Sequence, residues 1–380
     1  MRIAFISRIL FLSGVTTHMR DLGAELVKRG HEVTILTSGN QFPDNPASTQ
    51  LEQSLYAVGI KIKILPLTRD HLSNRFRYFL SLIRSTLAIR KELRQSKYDI
   101  IHIHTLSLSF IPRLLGYKFV STTHNGNMHL SSLLKNADEE IAISDEIYQE
   151  ILKRGVSPDH VHLIYNGVSS SFLVPPKEND RRSFFESYGI DPMKVIILFV
   201  GTIFHTKGLD NLCEALSLLP QYAKEKIHTI FVGNYDTEEY RRWMERIIEE
   251  KKLNSLITIL GYRNPHDFYY YSDIFVLPSR REGFPLVSIE AMMGECCVIR
   301  TNTEGFEAQI KDGETGFIFP NEDPASLSRI LIEVIEDEEL RKRIAKNGRK
   351  YAQEHFTASI MAEKTIGVYE KLIIGGQENR

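Results

Sequence analysis

The chain is poor in cysteine. Its 380 residues hold three, Cys213, Cys296 and Cys297. An odd count with two neighbours adjacent gives neither a disulfide framework nor the paired spacing of a zinc site. A reducing compartment suits such a chain. Long apolar runs are also lacking, and none approaches the roughly 20 residues of a membrane span. The opening "MRIAFISRILFLSGV" has a leader-like look, but Arg8 interrupts its apolar run and no small-residue cleavage site follows. It reads as a buried strand. Net charge is almost absent, at −1, so the overall field recruits neither nucleic acid nor membrane. Three motifs are missing too. Without a P-loop or a G-x-G-x-x-G, kinase and dehydrogenase readings lose their support. Without Asp-x-Asp, the usual metal clamp for a nucleotide diphosphate is gone. No short-period repeat and no low-complexity tract occurs.

What is present is alternation. Short apolar runs ("RIAFIS", "HEVTILTS", "IKIKILPL", "DIIHIHT", "KFVSTTH", "EEIAIS", "VHLIYN") read as seven strands. Helical patterns separate them, such as "THMRDLGAELVKRG", with Met19, Leu22, Leu26 and Val27 on one face and Gly30 as its stop. Strands separated by helices predict βαβ units and parallel sheets. "NGVSSSFLVPPKENDRR", from Asn166 to Arg182, reads as a linker. The alternation then restarts with "KVIILFVG", "IHTIFVGN", "SLITILGY", "DIFVLPS", "CCVIRTN" and "TGFIF". The expected fold class is α/β, with two doubly wound Rossmann-like domains facing a cleft. The boundaries fall at 1–167 plus 357–380 for the first domain and 168–356 for the second, with a hinge near Gly167. Length alone makes two domains the prior.

Two glutamates, Glu282 and Glu290, bracket the stretch "EGFPLVSIE". On a continuous helix they would lie about 12 Å and about 80° apart. Glycosidase carboxyl pairs sit at roughly 5–9.5 Å. Pro285 suits a first helical position, which puts Glu282 in the preceding loop and Glu290 in the helix. The pair suits two parts of one long ligand, with an anion at the helix start between them. "FVGTIFHTKGLDNL" places Lys207 beyond a glycine turn at another helix start, a phosphate site by type. Gly14 stands at the turn after the first strand. His124 ends the strand "STTH". His102 and His104 alternate along "IHIHT" and read as structural, with no acidic or cysteine partner at metal spacing.

This pattern resembles the retaining glycosyltransferases of family 4, which have the GT-B fold. The resemblance spans nearly the whole chain and is strongest in "DIFVLPSRREGFPLVSIEAMM". "GTIFHTKG", "IYNGV", "SGVTTHMRDLGAELVKRGHEVTILT", "STTH" and "IKDGETGFIFP" add to it in order. It implies transfer of a hexose or N-acetylhexosamine from a nucleotide diphosphate sugar, with UDP-sugars leading, to an acceptor hydroxyl. The acceptor would belong to envelope polysaccharide, glycolipid or secondary-metabolite glycoside synthesis. It implies no cofactor and no bound metal, a cytoplasmic setting, and roles for matching positions. Lys207 would grip the diphosphate, and Glu290 the ribose. Glu282 would hold the transferred sugar, and Gly283, Phe284, Pro285, Leu286 and Val287 would lend backbone contacts. His124 would flank the reaction centre, and Gly14 would admit the phosphates. Tyr262 and Arg263 lie where the family holds the base. Acceptor contacts are expected from Gln41 to Thr49 and from Asn125 to Ser132.

The chain departs from the family at Gly201-Thr202, where Gly-Arg is usual, so Thr202 supplies one hydroxyl in place of a guanidinium fork. Glu295 and Cys297 stand where Gly and Pro are common, and Tyr235 where glycine is common. Two other readings stay open: a non-hydrolysing nucleotide-sugar epimerase and a degenerate sugar-nucleotide-binding regulator. Finally, residues 75–97 carry basic residues interleaved with aromatics and leucines. The favoured reading is a helix covering the sheet with a solvated basic face. The other is peripheral contact with an anionic membrane, at its inner face.

Overall fold

The computed structural model describes residues 1–11, 13–44, 46–68, 75–124, 137–176 and 180–377. Its backbone divides into two units, Met1–Gly167 with Ala358–Arg380, and Val168–Thr357.

The first unit holds β1 (Arg2–Ile6), β2 (Glu32–Thr37), β3 (Lys61–Ile64), β4 (Ile100–Ile103), β5 (Val120–Thr123), β6 (Glu139–Ala142) and β7 (Val161–Leu163). They form one parallel sheet in the order β3-β2-β1-β4-β5-β6-β7. Every residue of β4 and β5 is buried. Both lie inside the sheet and are covered on both faces, although β5 is Val-Ser-Thr-Thr and β4 carries His102. The edge strand β3 is different, showing Lys61 and Lys63 to solvent. Edge lysines discourage further strand pairing. One face of the sheet packs Ile3, Phe5 and Ile100 against Met361, Ala362 and Tyr369 of the last helix, Ala358–Gln377. The other packs Ala4, Ile101 and Ile103 against Ile89 and Leu93. The opening segment is the buried strand expected, with Ile3 to Ile6 fully enclosed.

The second unit holds β8 (Val195–Val200), β9 (Ile227–Val232), β10 (Ile257–Ile259), β11 (Ile274–Leu277), β12 (Cys297–Thr301) and β13 (Phe317–Phe319). Their order is β10-β9-β8-β11-β12-β13, again all parallel. All thirteen apolar runs are strands, and both units are doubly wound and Rossmann-like.

Strand order reverses between β1 and β4 in the first sheet and between β8 and β11 in the second. Ligands of such sheets bind beyond the C-terminal strand ends at these switch points. The residues just past β1, β4, β8 and β11 therefore matter most.

The stretch read as a linker is partly built. Asn166 is buried, Val168 donates its N–H to Phe356 O at 2.9 Å, and Ser170–Leu173 forms a turn of 3-10 helix. Serine and proline content signalled a linker, but the polar groups of its first residues find partners in the fold.

Candidate functional site

In the second unit, β8 is followed by Gly201 and leads through the 3-10 turn His205–Lys207 to the helix Leu209–Leu218. Gly208 caps that helix at φ 64°, and a Cβ there would lie 2.0 Å from Pro278 O. Only glycine lets the loop after β8 lie against the loop after β11. The two loops are then tied by Arg280. Its guanidinium donates to both Asp210 oxygens at 2.8 and 2.6 Å and to His205 O at 2.7 Å. It also reaches Glu322 at 3.0 Å, and its N–H donates to Thr206 O at 2.8 Å. Arg280 is thus a brace between loops, its proton held more tightly by Asp210.

This close approach brings Lys207 and Glu282 together. Lys207 Nζ donates to Glu282 Oε1 at 2.6 Å, with both side chains mostly enclosed. Two residues 75 positions apart, assigned to phosphate and to sugar, thus form one ion pair at the β8/β11 switch point. Glu282 lies in the loop and Glu290 in the helix Leu286–Met293, as their spacing suggested. Pro285 is the N-cap, not the first helical residue; its ψ of 118° is still extended. No side chain caps this helix, so its first amides remain available to a ligand. Phe284, Pro285 and Leu286 are buried. Glu290 is buried, and Tyr269 Oη donates to its Oε2 at 3.0 Å.

Further along the strand ends, Tyr262 and Arg263 follow β10. Tyr262 N–H donates to Asn234 Oδ1 at 2.9 Å, and Arg263 Nη1 donates to Tyr262 O at 2.8 Å. Thr202 is exposed. From β10 to β11 is three strand spacings, about 14 Å.

A support sequence reading missed lies behind Pro285. Arg300 on β12 is fully buried. It donates to Thr303 O at 3.1 Å, Glu304 O at 3.0 Å and the Gln309 side chain. Gln309 Nε2 donates in turn to Pro285 O at 3.1 Å. A charged residue inside an apolar strand run was the signal available.

In the first unit, Gly14 opens the helix Gly14–Lys28, capped by Ser13 Oγ. A side chain at Gly14 would meet open space. His124 sits one residue beyond β5, and His104 one beyond β4. His104 Nδ1 and His124 Nε2 share a hydrogen bond at 3.2 Å. His18, from the helix, stacks edge-on to His124 with ring centres 4.7 Å apart. His18, His104 and His124 each offer one ring nitrogen within 4.8 Å of the others, a set that could hold a metal ion. Burial pushes His18 down to about 4 and lowers His104 and His124 well below the ordinary histidine value. All three are neutral near pH 7. His18 Nδ1–H donates to Asn166 Oδ1 at 2.8 Å, so its buried Nε2 presents a lone pair without a partner. His104 Nε2 is buried and unpartnered as well.

His104 is thus not the isolated structural histidine expected from its strand. His102 is: it hydrogen bonds Tyr369 Oη and Thr122 Oγ1, both at 2.7 Å. His18 escaped notice because its partners lie far away in sequence. A polar residue four before Leu22, on a helix's buried face, was the clue. The acceptor stretch Asn125 to Ser132 lies outside the described residues, as does Asn45 within Gln41 to Thr49.

Comparison with known proteins gives two family matches: Glycosyltransferase Family 4 over residues 12–172 and Glycosyl transferases group 1 over residues 180–351. An uncharacterized glycosyltransferase of Methanocaldococcus jannaschii is 23% identical over 94% of both chains. The alpha-D-kanosaminyltransferase of Streptomyces kanamyceticus is 24% identical over 93% of this chain and 98% of its own. Among solved structures, Anabaena HepE in complex with UDP superposes with a TM-score of 0.81 at 18% identity. It covers 98% of this chain and 100% of that one.

Proposed function

Because this chain belongs to the family 4 glycosyltransferases, we propose that it moves a hexose or N-acetylhexosamine from a UDP-sugar to an acceptor hydroxyl, retaining the anomeric configuration. The observation that carries this reading is the Lys207–Glu282 pair, held at the β8/β11 switch point beside an uncapped helix start. A diphosphate arriving there meets a cation and free amides. Taking Lys207, it releases Glu282 to accept hydrogen bonds from the sugar hydroxyls. Glu290, oriented by Tyr269, holds the ribose, and Tyr262 with Arg263 lies beside the base. HepE's complex with UDP supports the choice of base. The kanosaminyltransferase supports an amino sugar or hexose as cargo.

Chemistry follows from this placement. The acceptor oxygen attacks from the face the diphosphate leaves, and the leaving phosphate takes its proton. The protein positions the reactants and stabilises the departing charge. His124, kept neutral by its surroundings, offers a hydrogen bond to the sugar. Its hydrogen bond with His104 fixes the ring. Three free cysteines, all buried, fit a cytoplasmic setting. Among the described residues no helix is long and apolar enough to cross a membrane.

The test is UDP release from UDP-glucose and UDP-N-acetylglucosamine, with and without a panel of glycoside acceptors. Acceptor-dependent release is expected to persist in excess chelator, since Lys207 and the helix start neutralise the diphosphate. Loss of turnover restored only by added metal would transfer that role to an ion. Turnover of donor without acceptor would favour an epimerase.

A further inference from the structure

We propose that the outward face of the helix Arg75–Ser96 docks on an anionic lipid bilayer. The helix is built inside out over its first three turns. Phe76, Phe79, Leu80, Ile83 and Leu87 are 68, 59, 47, 42 and 58% exposed. At 100° per residue these five fall within a sector of about 100°. The inward face carries hydroxyls instead. Ser85 is fully buried and accepts the Thr68 N–H at 3.0 Å, and Ser81 pairs with the Thr68 hydroxyl. Apolar anchorage comes only later, from Ile89 and Leu93. A helix that merely covers a sheet does the reverse. The solvated face is basic, as its composition suggested, but it is apolar too.

The charges select the occupant. Arg77, Arg84, Arg90, Lys91 and Arg94 are exposed and flank or continue the apolar stripe. The helix's one acid, Glu92, is turned inward, where it pairs with Lys63 and accepts from Tyr98 Oη at 3.0 Å. A second copy of this chain docked by symmetry would set these cations against their own kind. An anionic bilayer supplies both an apolar depth for the stripe and negative head groups for its flanks. The inference stands apart from the transferase reading, since it uses no residue of the donor site.

The experiment is flotation of the full chain with phosphatidylcholine vesicles and with mixed phosphatidylcholine–phosphatidylglycerol vesicles. The wild type is expected to float with the mixed vesicles only, less so at high salt. Replacing Phe76, Phe79, Ile83 and Leu87 together by serine should weaken partition at least about tenfold. Arg84→Glu with Lys91→Glu should weaken it at least about twentyfold, since each basic residue near such a surface is worth about fivefold. The altered side chains are exposed, so melting temperatures should hold; the charge-reversed variant decides alone if the serine variant does not fold. Absence of flotation, equal flotation with neutral vesicles, or flotation undiminished in the variants would overturn the proposal. So would concentration-dependent dimers of the wild type, abolished by the serines and formed without any vesicle binding.

Discussion

At the scale of single residues, Lys207 and Glu282 hold one another, and the proposed donor would have to part them. Glu282→Gln weakens that hold while keeping a hydrogen-bonding group. UDP should therefore bind this variant as well as the wild type or up to several-fold more tightly, while transfer falls. Glu290→Ala should lose at least about tenfold in UDP affinity, since hydrogen bonds to charged groups are worth about 1.5–3 kcal/mol. Calorimetric titration with UDP separates the two, and equal losses would refute the division of roles. Thr202 raises a second expectation. With Arg280 engaged by Asp210 and Glu322, the proposed site leaves Lys207 to carry most of the diphosphate charge. Lys207→Ala should cost at least about a hundredfold in turnover. Thr202→Arg, at an exposed position, should restore part of it. A mild Lys207→Ala effect with no rescue would place the phosphate grip elsewhere.

At the scale of elements, the turn between the helix Leu286–Met293 and β12 explains one departure from the family pattern. Glu295 has φ 67°, in the left-handed region. Glycine enters that region without the cost of about 1–2 kcal/mol that a Cβ brings. Glu295 does pair with Arg349 at 3.1 Å, but the contact is exposed and worth little. Glu295→Gly should therefore leave stability unchanged or raise it by up to about 1 kcal/mol, read from urea midpoints. A clear loss would mean that the ion pair outweighs the strain. The neighbouring elements also show how the site is braced. Arg300 and Gln309 reach Pro285 across two strand–helix connections, a link that no local pattern announces.

At the scale of the whole molecule, the two units should respond differently to acid. The first contains the buried His18, His102 and His104 and the half-buried His124, all held neutral by desolvation. Their folded values lie below the unfolded one. The unfolded chain then binds more protons, and stability falls as pH drops from about 6.5 toward 4. His18 alone, lowered to about 4, accounts for about 3 kcal/mol over that interval. Calorimetry across this range should show one transition moving steeply downward while a second moves less. His18→Asn, which cannot ionise, should flatten the first. An unchanged slope would mean that the cluster takes up protons without unfolding.

The sequence by itself determined the strands, their parallel alternation, the two-domain plan and the loop-and-helix placement of Glu282 and Glu290. These follow from periodicity and from Gly and Pro positions, which act over a few residues. It also named most of the candidate site, because the family motifs are contiguous. Only the tertiary structure decided which distant residues share a place. Strand order set β8 beside β11, and Gly208 let their loops touch, so Lys207 meets Glu282. The order β1-β4-β5 gathered His104 and His124 under His18, with Asn166 recruited from an apparent linker. It likewise decided that residues 76–87 turn their aromatic side outward, since composition fixes how amphipathic a helix is but not which face the fold leaves in water.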